Sequence, residues 1–330
     1  VIQAVDTYPE LLRMASSCYG NDYRLGADEA PPAIISICMG NYLEEILNRL
    51  EKGDDQLDIE VNTTPFEIGN LAYVPKDTSD RNRTSPFAFT GNKFEFRMVG
   101  SSRSAATTNI VLNTIVADVL CKIADELAPL KYIEDIRNHS LAICKRILRK
   151  HNRILFSKDG YSEEWIAEAQ ERGLPNISTY VHSIDALVDE KAVAMFERNN
   201  VYNFNELTAR TNILYDEVIK DIKIEAMVLL DLSKKVLLPA LIKEIKFYSD
   251  GLNSLGKANA FYERKINRLT SLLDQFDVQY HKIKDAFFNR KTYDDIKEKA
   301  FYMNDQVVKQ MQELRIVIDA IEESISAENY

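Results

Sequence analysis

Charged and apolar side chains alternate in a short stretch around residue 95. Lys93, Glu95 and Arg97 are separated by Phe94 and Phe96. Successive side chains of a β-strand point to opposite faces, so the three charged groups would share one face, each about 7 Å from the next. Two cations around one carboxylate suit a site that holds a metal and an anionic ligand together. The alternative is a half-buried strand with a charged solvent face, which is common on antiparallel sheets.

A second basic pair precedes this stretch. Arg81 and Arg83 would also share a face in an extended chain. The whole chain has a formal net charge of −10, which argues against nucleic acid as its main partner. Within this acidic chain, the cations of the front region cluster between Lys76 and Arg97. This clustering predicts a local site for an anion.

The distribution of glycine and proline separates the chain into two regions with different secondary structure. Seven of the eleven glycines and six of the nine prolines lie in residues 1–100, and no proline follows Pro239. The pattern predicts helices, strands and loops in the front region and almost only helices behind it. Strands are predicted at 58–61, 66–74, 87–89 and 92–98, with a turn at 90–92 between the last two.

Apolar spacing of three and four residues predicts the helices. In order, they are expected at 1–17, 33–47, 109–124, 131–151, 162–172, 183–199 and 205–248. Pro239 implies a kink or break in the last of these. The stretches 252–287 and 296–321 predict a long antiparallel helical hairpin joined near residues 289–293. Core packing explains their apolar stripes better than any cofactor role.

Cysteine and histidine contribute no recognisable site. The four cysteines have no CxxC spacing and the four histidines have no metal-ligand spacing. We expect buried thiols in a reducing compartment, the cytoplasm. No signal peptide or transmembrane run is present, so no membrane partner is expected. The chain starts at Val1 inside a helical pattern, from which we expect either a piece of a longer protein or a trimmed one.

Three separated blocks resemble one enzyme family. The first is DRNRTSPFAFTGNKFEFR at residues 80–97, and the second is NDYRLGADEAPP at residues 21–32. The third is VGSS at residues 99–102, followed by Asn109 and by VLN at 111–113. Together and in this order they resemble the long type III branch of glutamine synthetase. The resemblance extends over most of the chain, to about residue 250.

The resemblance implies an α+β fold in two parts. Residues 1–125 would form the C-terminal half of the catalytic domain, a curved antiparallel sheet with helices. Residues 126–330 would form a mainly α-helical extension that contains the predicted hairpin. The remaining metal ligands and much of the catalytic barrel would lie upstream of Val1, so the isolated chain is expected to be inactive.

The resemblance also implies roles for residues on the predicted strand and around it. Glu95 matches a ligand of the metal nearer the transferred phosphate. Arg24 and Arg97 match arginines that hold the carboxylate of the substrate glutamate. Arg83 matches an arginine near the phosphate being transferred. Lys93 stands where the family has a phosphate-contacting arginine, so a point charge replaces a planar fork.

Two further residues and two departures complete the predicted site. Glu29 matches the glutamate of the flap that shields the acyl phosphate and helps to deprotonate ammonium; its alternative is a surface pair with Arg24. Arg81 is either a nucleotide contact or a structural residue. Ala88 stands where other branches carry an additional arginine. Tyr23 replaces a smaller polar residue or histidine ahead of the flap.

The implied reaction joins glutamate and ammonia at the cost of ATP, with Mg²⁺ or Mn²⁺ as cofactor and a large homo-oligomer, a dodecamer, as the assembly. A same-fold ligase that joins glutamate to another amine is one alternative. A non-catalytic regulatory remnant is another, against which the retained Arg24, Glu29, Arg83, Glu95 and Arg97 argue. A purely structural coiled coil is excluded by the front region, which is rich in glycine and proline.

Overall fold

The chain forms two compact units, which are residues Val1–Thr211 and Asn212–Tyr330. The computed structural model describes residues 1–26, 33–53, 85–101 and 103–329, and these are mostly helical. The first unit extends well beyond residue 125, where the family resemblance predicts a domain boundary. It does so because helices between residues 133 and 198 pack against the first helices of the chain. No helix among the described residues combines the length and the hydropathy that crossing a membrane requires.

Nine α-helices begin in the described part of the first unit. They are α1 Ile2–Thr7, α2 Pro9–Ser16, α3 Asn41–Lys52, α4 Ala105–Leu127, α5 Ile133–His151, α6 Glu163–Glu171, α7 Tyr180–Ser183, α8 Glu190–Arg198 and α9 Phe204–Leu232. The predicted helices at 109–124, 131–151 and 162–172 are confirmed. The predicted helix at 1–17 is two helices, since the backbone of Tyr8 is not helical and Pro9 begins a new helix. The one predicted at 183–199 is interrupted by a 3₁₀ turn, Ile184–Leu187.

The described residues of the first unit contain one small mixed sheet. Its strands are β1 Ile37–Cys38, β2 Phe87–Phe89 and β3 Phe94–Phe96, in the order β1-β2-β3. Strands β2 and β3 are antiparallel, with Ala88 opposite Glu95, and the predicted pair of strands is confirmed. Strand β1 is parallel to β2, so the prediction of a purely antiparallel sheet was wrong for this strand. The strands predicted at 58–61 and 66–74 lie outside the described residues.

The predicted helix at 33–47 was wrong in its first half. Ile34 forms an isolated bridge with Asn176, and the N–H of Phe156 donates to the carbonyl of Ile37 at 3.0 Å. Gly40 has φ 76°, a conformation that does not continue a helix, and α3 begins only after it. The apolar run therefore pairs as buried extended chain, because long-range strand partners compete successfully with its helical spacing.

The second unit is built from helices among the residues that the structure describes. They are α10 Leu238–Leu255, α11 Ala260–Asn289, α12 Ile296–Tyr302 and α13 Lys309–Glu322, together with the end of α9. A π-helical segment, Ser233–Leu237, ends two residues before Pro239, which lies in the first turn of α10. The irregularity expected at the proline is thus a π-helical segment in the turn that precedes it.

The predicted helix at 252–287 was wrong at its start. Gly256, with φ 63°, ends α10, and the side chain of Asn259 caps α11 by accepting a hydrogen bond from the N–H of Phe261 at 3.0 Å. Asn259 is therefore the N-cap of α11. The connection predicted near 289–293 is a 3₁₀ turn, Arg290–Thr292.

Apolar side chains of α10, α11 and α13 share one core in the second unit. It contains Leu241, Leu269, Phe276, Ile283, Leu314, Ile318 and Ile321, all buried. The stripe residues predicted from spacing alone form most of this cluster. Beside it, the buried carboxylate of Glu244 accepts hydrogen bonds from Ser326 at 2.9 Å and from Asn329 at 2.6 Å. These bonds attach the last residues to α10.

The cysteines form no disulfide, as the sequence predicted. All four lie among the described residues. Cys38 is buried, whereas Cys121 and Cys144 are exposed. The prediction that the thiols are buried was therefore wrong for the latter two, which lie on the outer faces of α4 and α5.

Candidate functional site

The charged face of β3 is formed as its alternation predicts. The Nζ atom of Lys93 lies 3.0 Å from Oε1 of Glu95. From the other side, Arg97 donates to Oε2 of Glu95 through Nη2 at 2.9 Å and through Nε at 3.2 Å. Each carboxylate oxygen thus has a cationic partner, and the two cations flank one carboxylate.

Aromatic packing holds the opposite face of this strand. The ring of Phe87 on β2 stacks on Phe94 with centroids 5.5 Å apart and meets Phe96 edge-on at 5.4 Å. Phe87 is buried, and it lies directly opposite Phe96 in the antiparallel register. A one-residue slip of β3 would exchange its charged and apolar faces, so this aromatic contact sets which way Glu95 points.

The two neighbouring cations lower the pKa of Glu95. The hydrogen bond from Lys93 is the larger cause and the hydrogen bond from Arg97 is the next. Hydrogen bonds and positive charges stabilise the ionised form of a carboxyl group. Glu95 is therefore an anion at neutral pH, as a ligand for a hard cation must be.

A cavity of about 220 Å³ brings two of the predicted residues together. Arg24 and Arg97 both line it, and so do Asn21, Ser85 and Gly100. The N–H of Arg97 donates to the carbonyl of Pro86 at 2.7 Å, which extends the pairing of β2 and β3 to the cavity. Two arginines beside one small cavity have the charge and the hydrogen-bond donors that suit a carboxylate or another anion.

Asn21 fixes the backbone that carries Arg24. Its carbonyl accepts the N–H of Arg24 at 3.0 Å and that of Leu25 at 3.1 Å. Its side-chain Oδ1 accepts the N–H of Cys18 at 3.0 Å. The same amide packs on Gly100, where a Cβ atom would lie only 2.4 Å from Oδ1. The glycine of the VGSS block thus leaves room for the side chain that folds the Arg24 turn.

The roles of all seven predicted site residues stay predictions, and three of these residues have no described position. Glu29, Arg81 and Arg83 lie outside the described residues. Tyr23, the unexpected residue ahead of the flap, lies with its hydroxyl 2.5 Å from the hydroxyl of Tyr19.

The described part of the candidate site offers a divalent metal one carboxylate ligand, that of Glu95. No cluster of three or more histidine, cysteine, aspartate or glutamate side chains that could hold a metal occurs in the described part of the chain. Glu95 alone does not make a metal site, because Mg²⁺ requires about six oxygen ligands. Its ionised carboxylate is suited to be one ligand of a metal whose other ligands come from elsewhere in the protein.

The structure contains two features that the sequence did not indicate. A cavity of about 430 Å³ lies between α2 and the 182–192 region, lined by Tyr8, His182, Asp185 and Asp189 among others. Arg13, in the middle of α2, is buried and forms an ion pair with Asp22 at 3.0 Å. The sequence feature that could have indicated this pair is an arginine within the otherwise apolar stripe of a predicted helix.

Comparison with known proteins places these elements in a family. Residues 140–255 match a family model described as glutamine synthetase C-terminal domain. A type-3 glutamine synthetase of Dictyostelium discoideum is 35% identical over 334 residues, which cover 98% of this chain and 45% of that protein. A glutamine synthetase of Bacteroides fragilis is 31% identical over 347 residues, covering 99% of this chain and 47% of the relative.

A third relative agrees over a shorter stretch. A glutamine synthetase of Butyrivibrio fibrisolvens is 34% identical over 247 residues, which cover 73% of this chain and 34% of that protein. The chain therefore spans less than half the length of each of these relatives. Every relative named here is a glutamine synthetase, and the matched domain is the C-terminal domain of that family. We conclude that this chain belongs to the glutamine synthetase family and is similar to a type-3 glutamine synthetase over almost its whole length.

Proposed function

We propose that this chain supplies the C-terminal part of the active site of a glutamine synthetase. The enzyme would join ammonia to glutamate through a γ-glutamyl phosphate formed from ATP. One observation carries the proposal: Arg97 lines the same cavity as Arg24 while its guanidinium donates to Glu95. A carboxylate substrate held in the cavity would therefore lie next to the carboxylate that the family uses for metal binding.

Arg24 and Arg97 would bind the glutamate substrate. A guanidinium presents parallel N–H donors that match the two oxygens of a carboxylate, so two arginines on one cavity can orient both the position and the plane of an acidic ligand. Arg97 is anchored by the strand pairing, and Arg24 by the turn at Asn21. The backbones of both residues are thus fixed without a ligand, which reduces the entropy lost on binding.

Glu95 would contribute one oxygen to a Mg²⁺ or Mn²⁺ ion. Such an ion, when bound, neutralises charge on the phosphate groups of ATP. In the absence of an ion, Lys93 and Arg97 hold the carboxylate in a single orientation. Lys93 is exposed on its outer side and is suited to a phosphate group as a mobile point charge.

The rest of the predicted machinery belongs to the same proposal. Arg83 and Arg81 would contact the transferred phosphate and the nucleotide, and Glu29 would shield the acyl phosphate and accept a proton from ammonium. A base next to cations in a closing site suits that proton transfer. These three assignments rest on the family resemblance of the blocks that contain them.

Assembly and location complete the proposal. We infer a large homo-oligomer, in which α11 with α12 and α13 forms an antiparallel helical hairpin that contributes subunit contacts. Its apolar stripes are longer than one small core requires, and Ile316 is 71% exposed on α13. Residues 1–125 would be the catalytic portion and residues 126–330 the helical extension. Four cysteines without a disulfide favour the cytoplasm.

The test measures glutamine formation from glutamate, ammonia and Mg-ATP by the full-length protein and its Glu95→Ala variant. We expect the variant to lose at least about 100-fold in kcat, since electrostatic groups at the reacting centre are worth this much. Glu45→Ala is the matched control, because Glu45 is an exposed glutamate that pairs with Arg49 on α3. Equal activity of the two variants would refute the role of Glu95. A wild-type protein that is assembled but uses methylamine in place of ammonia would point to a γ-glutamyl–amine ligase.

A further inference from the structure

Arg13 is the most buried large cation among the residues that the structure describes. It is 1% exposed, and its guanidinium points across α2 toward residues 177–178. Nε donates to the carbonyl of Ile177 at 2.9 Å and Nη2 to the carbonyl of Ser178 at 3.3 Å. Nη1 donates to the hydroxyl of Ser17. The side chain therefore ties α2 to a segment more than 160 residues further along the chain.

Asp22 joins the same network from the Arg24 turn. Its Oδ1 accepts from Nη2 of Arg13 at 3.0 Å, and its Oδ2 accepts the backbone N–H of Tyr180 at 2.7 Å. Both oxygens thus have a partner in the described structure. The segment 177–180 is attached twice, once through Arg13 and once directly through Asp22. This segment lies within residues 140–255, the matched C-terminal domain.

The network ends next to a proposed substrate residue. Asp22 follows the 3₁₀ turn Tyr19–Asn21, whose last residue accepts the N–H groups of Arg24 and Leu25. Arg24 is two residues from Asp22 and lines the 220 Å³ cavity. Displacement of Asp22 would therefore move the backbone from which Arg24 reaches the ligand.

We propose that Arg13 and Asp22 form a brace through which residues 177–180 of the C-terminal domain position Arg24 for the substrate carboxylate. The proposal rests on the proposed function, which supplies the role of Arg24. Arg13 and Asp22 are positioning residues, since they lie behind the cavity wall and act through the Arg24 turn. The C-terminal domain thereby contributes to substrate binding without placing a side chain of its own in the cavity.

The energetics of the Arg13–Asp22 ion pair indicate that it positions the Arg24 turn rather than adding much to the stability of the fold. Burial raises the pKa of Asp22 and lowers the pKa of Arg13, so both charges are costly to desolvate. Buried ion pairs contribute little net stability compared with apolar side chains of similar volume. They do fix geometry, because every donor and acceptor must meet its partner. Here they fix the distance between the Arg24 turn and residues 177–180.

A buried carboxylate elsewhere in the same unit provides the control. Asp6 on α1 is 5% exposed and pairs with Arg153 and His151, both at 2.7 Å. It also ties the front of the chain to the helices behind it, but it does not touch the turn that carries Arg24. Asp6→Asn and Asp22→Asn therefore each remove one carboxylate charge from an ion pair with an arginine of the first unit.

The experiment compares the full-length wild type, Asp22→Asn and Asp6→Asn. Steady-state kinetics gives the KM for glutamate, the KM for ATP and kcat. Hydrogen exchange of the peptide 19–26 reports the N–H groups of Arg24 and Leu25. We expect Asp22→Asn to raise the KM for glutamate about tenfold or more, since a displacement of 1 Å can cost on the order of 100-fold. The KM for ATP should not change, and exchange of the peptide should accelerate.

Asp6→Asn should lose similar thermal stability and leave both readouts at wild-type values. If Asp22→Asn does not fold, Arg13→Lys replaces it in the experiment. Lysine keeps a cation for Asp22 but cannot bind the carbonyls of both Ile177 and Ser178. Arg13→Lys should also raise the KM for glutamate. An unchanged KM and unchanged exchange in folded Asp22→Asn would overturn the brace, as would equal changes in Asp6→Asn. If the wild type makes no glutamine, the proposed function fails, and the exchange comparison alone decides whether the brace holds the turn.

Discussion

Arg97 and Glu95 point to the same side of one strand and share a two-donor contact, with Nη2 2.9 Å and Nε 3.2 Å from Oε2. Arg97 also lines the cavity that Arg24 lines. Arg97 therefore connects the candidate metal carboxylate with the candidate substrate pocket. A substrate carboxylate and a metal ion would both act on the same guanidinium, so their binding is expected to be coupled.

Arg97→Lys tests this connection. Lysine keeps the charge but replaces the planar fork by a point charge, so it cannot contact Glu95 and a substrate carboxylate together. We expect the KM for glutamate to rise by roughly 10- to 100-fold, the equivalent of about 1.5–3 kcal/mol for hydrogen bonds to charged groups. Arg49→Lys, in an exposed pair with Glu45, is the control and should leave the KM unchanged. A wild-type KM in Arg97→Lys would remove Arg97 from the substrate site.

Gly100→Ala tests the fit of Asn21 against the third sequence block. The new Cβ would lie 2.4 Å from Oδ1 of Asn21, so the amide must move and its bond to the N–H of Cys18 must break. Overpacking of this kind costs roughly 1–3 kcal/mol in the free energy of unfolding. Urea denaturation measures this change, and the KM for glutamate should rise because Arg24 depends on the same turn.

Gly20→Ala is the matched control for this prediction. A Cβ at Gly20 meets nothing within 4 Å, so the substitution should be nearly neutral. Adding Asn21→Ala to Gly100→Ala should remove the steric conflict, so the two changes should be strongly non-additive. Simple additivity would show that Gly100 does not act through Asn21.

The ion pairs of Asp118 are expected to make the free energy of unfolding depend on pH. Its buried carboxylate binds Lys122 at 2.7 Å and Arg198 at 2.6 Å. Burial alone would raise the pKa of Asp118, but the hydrogen bonds from Lys122 and Arg198 outweigh it and lower the pKa. The folded pKa thus lies below the unfolded value of about 3.9. The stabilisation is fully present above that value and is lost as the pH falls through the folded pKa.

Unfolding measured between about pH 2.5 and 7 checks this sign. Asp118→Asn should lower the free energy of unfolding at pH 7 by about 1–3 kcal/mol and should flatten the acid limb of the curve. Asp216→Asn, which removes an exposed pair with Lys220, should change it by less than about 1 kcal/mol. An acid limb that is the same in wild type and Asp118→Asn would mean that other carboxylates carry the dependence.

Exposed apolar residues on α11 and α13 predict a surface for subunit contacts. Ile316 on α13 and Val278 on α11 are 71% and 53% exposed. Ile316→Lys together with Val278→Lys should leave the helical content unchanged, since neither side chain belongs to the core. We expect the variant to form smaller assemblies, because a charge is costly in a desolvated interface. Analytical ultracentrifugation measures the size of the assembly. An oligomer of unchanged size would show that this face does not form subunit contacts.

Local patterns determined much of the local structure. The alternation at Lys93, Glu95 and Arg97 placed their side chains on one face of β3, because a strand has a side-chain period of two whatever surrounds it. Leu269, Phe276 and Ile283 have helical spacing and lie in the core of the second unit. The family resemblance predicts that Arg24 and Arg97 hold one carboxylate, and in the structure both residues line one cavity.

Only the tertiary structure decided the rest. Residues 34–38 have helical spacing but are extended, because Phe87, Phe156 and Asn176 offer partners that lie far away in the chain. The Arg13–Asp22 contact likewise depends on residues 177–180, which no local pattern connects with α2. Periodicity reports the geometry within one element, whereas the burial of a charge and the pairing of a strand depend on which distant segments the fold brings together.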